Sequence, residues 1–224
     1  MAPARDYKRI LDHDEGPNTG GMGSFSPVPG IDAERVAQIA ALVHQPVVDE
    51  LRMRGTPFQG VLYAGIMLTA EGPKVLEYNV RLGDPETQAV LPRLRTDLLG
   101  VLEAGARPGG LAGVTLEWAR EWAVTVVLAS AGYPASSSSG DVISGLDDVP
   151  GEVEVTHAGT AARAGEIVTA GGRVLNVTAL GPTARAARDA AYAAVEGIEF
   201  AGRQLRSDIA QLPSSGVGSA HDRA

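Results

Sequence analysis

Two strand-length runs joined by a tight turn constrain this chain more than any other feature. Residues 60–68, "GVLYAGIML", are continuously apolar, residues 69–73, "TAEGP", are turn formers, and residues 74–88 read "KVLEYNVRLGDPETQ". This pattern predicts a hairpin. Its second strand alternates: Leu76, Tyr78, Val80 and Leu82 make one set, and Glu77, Asn79 and Arg81 make the other. Successive strand side chains point to opposite faces. The apolar set is therefore expected in a core, with the polar set projecting together.

Glu77 and Asn79 offer two hard oxygen donors on one face of a rigid element. Mg²⁺ takes such ligands and fills its shell with water and substrate phosphates. Arg81 beside them suits a phosphoryl group or a carboxylate. The same alternation also describes a solvated strand face, although asparagine is disfavoured in strands. In "GDPE", Asp84 as N-cap, Pro85 at the first helical position and Glu86 behind it form a helix start. The spare carboxylate oxygens could also receive an amine.

The composition describes a globular chain of one or two domains, with 224 residues, 44% of them apolar and 21% charged. A net charge of −8 argues against nucleic acid as a partner but permits a local positive pocket for a phosphorylated small molecule. With no cysteine there is no disulfide, thiolate metal site or thiol nucleophile. The N-terminus has no apolar signal region, and no apolar run approaches the ~20 residues of a membrane span. The expectation is a cytoplasmic protein with no membrane partner. His13, His44, His157 and His221 are scattered without metal-ligand spacing, and the serine tract lacks a nucleophile elbow.

Along the chain, the Gly- and Pro-rich start to Pro29 reads as one long functional loop. Asp32 should cap a helix that Pro46 kinks or divides and Gly55 closes. A helix over 96–105 should be capped by Thr96, and residues 106–113 are the best boundary. Beyond it, "AVTVVLAS" and "EVEVTHAG" read as strands. "EIVTAGG" and "RVLNVTAL" read as two strands meeting at Gly171-Gly172, and residues 181–198 as one amphipathic helix. The "SSSSG" tract and the tail from Pro213 read as mobile. The expected units are residues 1–107, a β-rich domain over 108–212, and a disordered tail at 213–224.

"GPNTGGMG" (16–23) can approach a ligand closely through Gly20, Gly21 and Gly23, leaving backbone N–H groups for phosphate. No Gly-Lys-Ser/Thr follows, so it is not a P-loop. Upstream, "DYKR" places Asp6, Lys8 and Arg9 either on a solvated face or in the same pocket.

In their order and spacing, "DYKR", "GPNTGGMG", "VLYAG", "KVLEYNVRLGDPETQ", "ASAGYP", "GDVISGL", "HAGT" and "GGRVLNVTALG" closely resemble the phosphoribosylamine–glycine ligase family, ATP-grasp enzymes of purine biosynthesis. The resemblance runs to about Asp208. It implies an α+β fold, in which the C-terminal part of an ATP-grasp module precedes a small β-rich domain with one main helix. It also implies a reaction: ATP phosphorylates the glycine carboxylate, and the amine of 5-phosphoribosylamine attacks the acyl phosphate. Glu77 and Asn79 would hold Mg²⁺ or Mn²⁺. Arg81, Asp84 and Glu86 would surround glycine and the amine. Asp6, Lys8, Arg9, Asn18, Thr19, Gly20, Gly21 and Pro85 would face the phosphoribosyl substrate or the triphosphate.

The departures from the family pattern are equally informative. Family members are longer, beginning with an α/β domain and a small lobe that clamps adenine, and "SSSSG" replaces a more charged segment. The chain alone is thus expected to have little or no activity unless a separately encoded N-terminal half completes it. Two rival readings remain: another ATP-grasp ligase or carboxylase using the same Glu-x-Asn-x-Arg strand, and a non-catalytic binding remnant.

Overall fold

The computed structural model describes residues 1–212; the tail expected to be mobile, 213–224, lies outside them. The Gly- and Pro-rich start is ordered even through its centre, 14–27, which is not one loop. It lays down four short strands, β1 (Arg5–Asp6), β2 (Arg9–Leu11), β3 (Glu15–Asn18) and β4 (Gly23–Ser26). β2 pairs with β3 and β1 with β4, both antiparallel. Strands of two to four residues are too short to show a period of two.

Asp32 caps α1 (Ala33–Ile39), accepting the Arg35 N–H at 2.8 Å. A π-helical segment, Ala40–His44, then leads into α2 (Gln45–Met53), with Pro46 in its first turn. Proline has no N–H for the preceding turn and its ring crowds it, so the wider turn sits directly before it. Gly55, at φ +75°, follows the helix end.

The hairpin forms as β5 (Tyr63–Thr69) and β6 (Gly72–Asn79), with Tyr63 opposite Asn79 and Gly65 opposite Glu77. Its two faces separate as the alternation requires, but the apolar face is not core. Tyr78 donates its hydroxyl to the Val43 carbonyl at 2.7 Å, whereas Leu76 and Val80 are 63% and 75% exposed. Two strands alone do not bury both faces. Two caps also differ from expectation. α3 (Glu86–Val90) has Pro85, not Asp84, at its N-cap position, because the Asp84 carboxylate is engaged elsewhere. α4 (Leu98–Gly105) is capped by Asp97, which accepts the Gly100 N–H, while the Thr96 hydroxyl accepts from Glu117 N–H.

The rest of the chain supplies β7 (Trp122–Ala129), β8 (Ser139–Val142), β9 (Val153–His157), β10 (Thr160–Arg163), β11 (Glu166–Ala170), β12 (Arg173–Gly181) and α5 (Ala184–Gly197). β11 and β12 do not pair with each other. β11 lies between β10 and β8, and β12 between β7 and β9, so Gly171-Gly172 passes the chain from one sheet to another. Part of the serine tract is ordered as the start of β8.

The central sheet runs β1-β4-β7-β12-β9 and takes strands from both sides of residues 106–113. One face carries Phe25, Val124, Val126, Leu128, Leu175 and Val177 against Ala187, Ala191, Ala194 and Val195 of α5. Thr183 caps α5, and alanine-rich sequence favours its helix. The other face carries the buried hydroxyls of Thr125 and Thr178, 2.9 Å apart, and packs against α3. That packing brings residues 83–88 to the glycine-rich segment. Among the described residues no helix is long and apolar enough to cross a membrane.

Candidate functional site

The glycine-rich segment folds onto Asp6 and Pro85. Gly21 has φ +115°, and a Cβ there would lie 2.5 Å from Asp6 Oδ1 and 2.5 Å from Pro85 Cδ, so only glycine fits. Thr19 Oγ1 donates to the Lys8 carbonyl and accepts the Gly21 N–H, both at 2.9 Å. Ser24 Oγ donates to the Pro85 carbonyl at 2.8 Å. The expectation of free amides is not met: the N–H groups of Thr19, Gly20, Gly21 and Met22 all donate within the protein. The glycines serve close approach instead.

Glu86 is buried under this segment, and Tyr63 donates its hydroxyl to Glu86 Oε1 at 2.5 Å. Gly65 leaves room between Tyr63 and Glu77; a Cβ there would lie 3.1 Å from Glu77 Cγ and 3.7 Å from Tyr63 Cε1. The Asp6 side chain is 9% exposed, with Lys8 Nζ 2.6 Å from Oδ2 and no hydrogen bond of good geometry to either oxygen. Burial first, and the Glu86 charge second, push the Asp6 carboxyl up to about 6 against the pull of Lys8. Burial opposes the Lys8 ammonium, but Asp6, Glu86 and Glu77 together hold its pKa above the ordinary value. Burial and then Glu86 raise the Tyr63 hydroxyl as well.

A carboxyl raised from 3.8 to about 6 favours the fold when protonated. Asp6 therefore withholds stability at neutral pH and returns it as pH falls from about 6 towards 4. Asp6→Asn is expected to stabilise the chain at pH 7.5 by about 1–3 kcal/mol, with the difference closing near pH 4. Urea melts across that range measure it, and a destabilised variant at pH 7.5 would contradict it.

Other predicted residues stand apart from this cluster or are engaged differently. The Arg9 guanidinium bonds the Gly16 carbonyl at 2.5 Å across β2–β3, and Asn18 is exposed at the end of that pairing. Arg81 is exposed, donates to the Leu82 carbonyl at 2.9 Å, and has no ion pair among the described residues. Asp84 accepts from Gln88 Nε2 at Oδ1, 3.0 Å, and from Arg173 Nη2 at Oδ2, 3.1 Å. Three residues were missed: Tyr63, hidden in an apolar run, and Tyr133 and Arg173. The last two sit inside "ASAGYP" and "GGRVLNV" in the distant half of the sequence, where local pattern gives no sign of contact.

No group of three His, Cys, Asp or Glu gathers among the described residues. Glu77 and Asn79, on the strand face shared with Tyr63, remain the pair suited to a metal, and the Glu77 carboxylate has no hydrogen bond or ion pair among the described residues. An unengaged carboxylate beside an amide oxygen fits a hard cation completed by water and phosphate.

A hairpin carrying Glu77 and Asn79, a glycine-rich segment packed against residues 83–88, and a β-rich unit with one main helix make up an ATP-grasp domain followed by a C-terminal domain. Residues 1–87 match "Phosphoribosylglycinamide synthetase, ATP-grasp (A) domain", and residues 123–212 match "Phosphoribosylglycinamide synthetase, C domain". The chain belongs to the phosphoribosylamine–glycine ligase family. It is 53% identical over 215 residues to the phosphoribosylamine–glycine ligase of Streptomyces coelicolor, covering 94% of this chain and 51% of that protein. The crystal structure of the Thermotoga maritima phosphoribosylamine–glycine ligase superposes with a TM-score of 0.78 at 40% identity, over 92% of this chain and 50% of that one. The biotin carboxylase domain of Hydrogenobacter thermophilus 2-oxoglutarate carboxylase shares the fold alone, with a TM-score of 0.54 at 16% identity over 83% of this chain and 40% of that one. The chain spans about half the length of the curated relatives it matches.

Proposed function

We propose that the chain is the metal-bearing half of an enzyme ligating glycine to 5-phosphoribosylamine. ATP phosphorylates the glycine carboxylate. The amine then forms a C–N bond as the acyl C–O bond breaks, giving glycinamide ribonucleotide, ADP and phosphate in de novo purine biosynthesis, in the cytoplasm. The observation that carries this reading is the convergence of the β6 polar face, Lys8, Asp6 and the Tyr63–Glu86 pair at the glycine-rich segment. Glu77 and Asn79 would hold Mg²⁺ or Mn²⁺, which when bound neutralises phosphate charge. The half-exposed Lys8 ammonium and the unpaired Arg81 guanidinium supply further positive charge for phosphoryl oxygens. Glu86 and Asp84 orient the amine side. The chemistry is mainly positioning and charge neutralisation.

In this reading the chain works with the half of the ligase that it does not span, which closes over ATP. Large apolar side chains stand exposed on the helical segment (Leu42, Met53), the hairpin (Met67, Leu76, Val80) and α4 (Leu99). Exposed large apolar side chains of this kind suit a contact surface. Glycine-dependent ADP release by the chain alone is expected at background level. Adding the uncovered half of the Streptomyces coelicolor relative should raise it at least tenfold. Full turnover by the chain alone would refute the partner. A complex that binds but shows no glycine-dependent ADP release would favour a non-catalytic binding module, which the same apolar surface also suits.

A further inference from the structure

Arg173, from the first residue of β12, reaches into the site from the far half of the chain. Its Nη1 donates to the carbonyls of Asp84 at 2.7 Å, Gly20 at 2.9 Å and Gly21 at 3.4 Å, and its Nη2 to Asp84 Oδ2 at 3.1 Å. One guanidinium thus ties the glycine-rich segment to the loop that opens α3. Tyr133 assists from the same end of the sheet, accepting the Gly20 N–H at its hydroxyl at 2.9 Å. The sequence reason is the Gly-Gly before Arg173. A Cβ on Gly172 would lie 2.4 Å from Tyr133 Cδ2, so glycine lets the Tyr133 ring lie over the turn. A Cβ on Gly20 would in turn lie 2.9 Å from Arg173 Cζ, so the second contact surface is also cut to fit.

The Arg173 side chain is 19% exposed, and three of its four hydrogen bonds, all from Nη1, go to carbonyl oxygens, with Nη2 on the Asp84 carboxylate. A guanidinium can bridge several oxygens at fixed angles, which an ammonium cannot. Such a group fixes geometry more than it adds charge. The loops it joins carry Pro85, which presses on Gly21, and lead directly to Glu86, which takes the Tyr63 hydroxyl.

We propose that Arg173 is a positioning residue: the C-terminal sheet sets the geometry of Gly20, Gly21 and Asp84 through it, and so aligns Asp6, Lys8 and Glu86 for the ligase reaction. The role in turnover rests on the ligase reading above; the clamp itself does not. Its removal displaces the loops while leaving the sheet intact, and misplacement of about 1 Å at reacting groups costs about 100-fold in rate.

The test has two arms. In the isolated chain, Arg173→Met should speed hydrogen exchange of the Gly20 amide at least about tenfold, with the amides of Val126 and Val177 unchanged. Equal exchange at Gly20, or uniform acceleration everywhere, would overturn the clamp. In the complex that turns over, Arg173→Met should lower kcat/KM about 100-fold, chiefly in kcat. Arg173→Ala should recover at least tenfold with added methylguanidine, and Arg173→Lys should not restore the rate. Wild-type turnover in Arg173→Met, or full rescue by Arg173→Lys, would overturn the positioning role. A complex that never turns over defeats the ligase reading alone, and the exchange arm then decides the clamp. If Arg173→Met fails to fold, Arg173→Lys keeps the apolar stem but not the planar fork and should speed exchange of the same Gly20 amide; unchanged exchange there would overturn the clamp.

Discussion

Arg206→Met is expected to destabilise the chain by about 3–5 kcal/mol, lowering its midpoint of thermal unfolding by about 6–20 °C. Arg206 has no exposed surface. It donates to Asp14 Oδ1 at 2.8 Å, to both oxygens of Asp208 at 2.7 and 2.6 Å, and to the Arg9 carbonyl at 3.1 Å. Its guanidinium carbon also lies 4.8 Å from the Tyr7 ring centroid. The segment after α5 is thereby locked to the β2–β3 hairpin, where Asp12 accepts the Ser207 N–H and Asp208 accepts the His13 N–H. Methionine matches much of the volume but leaves Asp208, almost buried, without its cation. A loss below 1 kcal/mol in denaturant melts would contradict this.

The same pair predicts an acid limb. Burial alone would raise the Asp208 carboxyl, but hydrogen bonds from Arg206 and His13 outweigh it and hold it at about 2. A carboxyl held below its ordinary value of 3.8 contributes stability that is complete above that pH and lost as pH falls towards 2. Asp6 acts in the opposite direction between about 6 and 4, so the two carboxyls shape different parts of one pH profile.

Glu77→Ala is expected to lower glycine-dependent turnover of the complete enzyme by about 100- to 1000-fold while leaving unfolding unchanged. The reason lies in what Glu77 does not do. It is exposed, and among the described residues its carboxylate accepts no hydrogen bond and forms no ion pair. Its loss therefore removes the proposed ligand and a charge near Lys8 but no hydrogen bond of the carboxylate. Steady-state ADP release and a thermal melt, run on the same preparation, separate the two effects. Near-normal turnover would remove the metal assignment, and a lower melting temperature would mean a structural part for the side chain.

The sequence made the local elements legible wherever one pattern covered enough residues. The α5 helix, β7, β9, β12 and the β5–β6 hairpin all follow from periodicity and turn chemistry. The alternation on β6 was real, but periodicity reports which residues share a face, not whether anything covers that face. Leu76 and Val80 were therefore assigned to a core they do not enter. Caps were misassigned by one residue at Thr96 and Asp84, because longer-range partners claim those side chains. Sheet pairing was illegible: nothing local says that β4 joins β7, or that Gly171-Gly172 separates two sheets rather than closing a hairpin.

The polar side chains of the site were mostly legible as residue types and much less as contacts. Asp6, Lys8, Glu77 and Glu86 were singled out by sequence, and the structure gathers them around Tyr63 and the glycine-rich segment. Arg173 and Tyr133 could not be found that way, since their partners lie more than a hundred residues away in the case of Gly20 and the tie is made through backbone carbonyls and an amide. Buried Arg206 was invisible for the same reason.

The central claim is that this chain's β6 face supports phosphorylation of a glycine carboxylate. It is tested most directly by supplying glycine labelled with ¹⁸O in its carboxylate to the complete enzyme and analysing the inorganic phosphate by mass spectrometry. The account predicts one ¹⁸O atom transferred to phosphate per amide formed, and in Glu77→Ala a rate of labelled-phosphate formation about 100- to 1000-fold lower. Amide formation with unlabelled phosphate, or label transfer undiminished in Glu77→Ala, would contradict it.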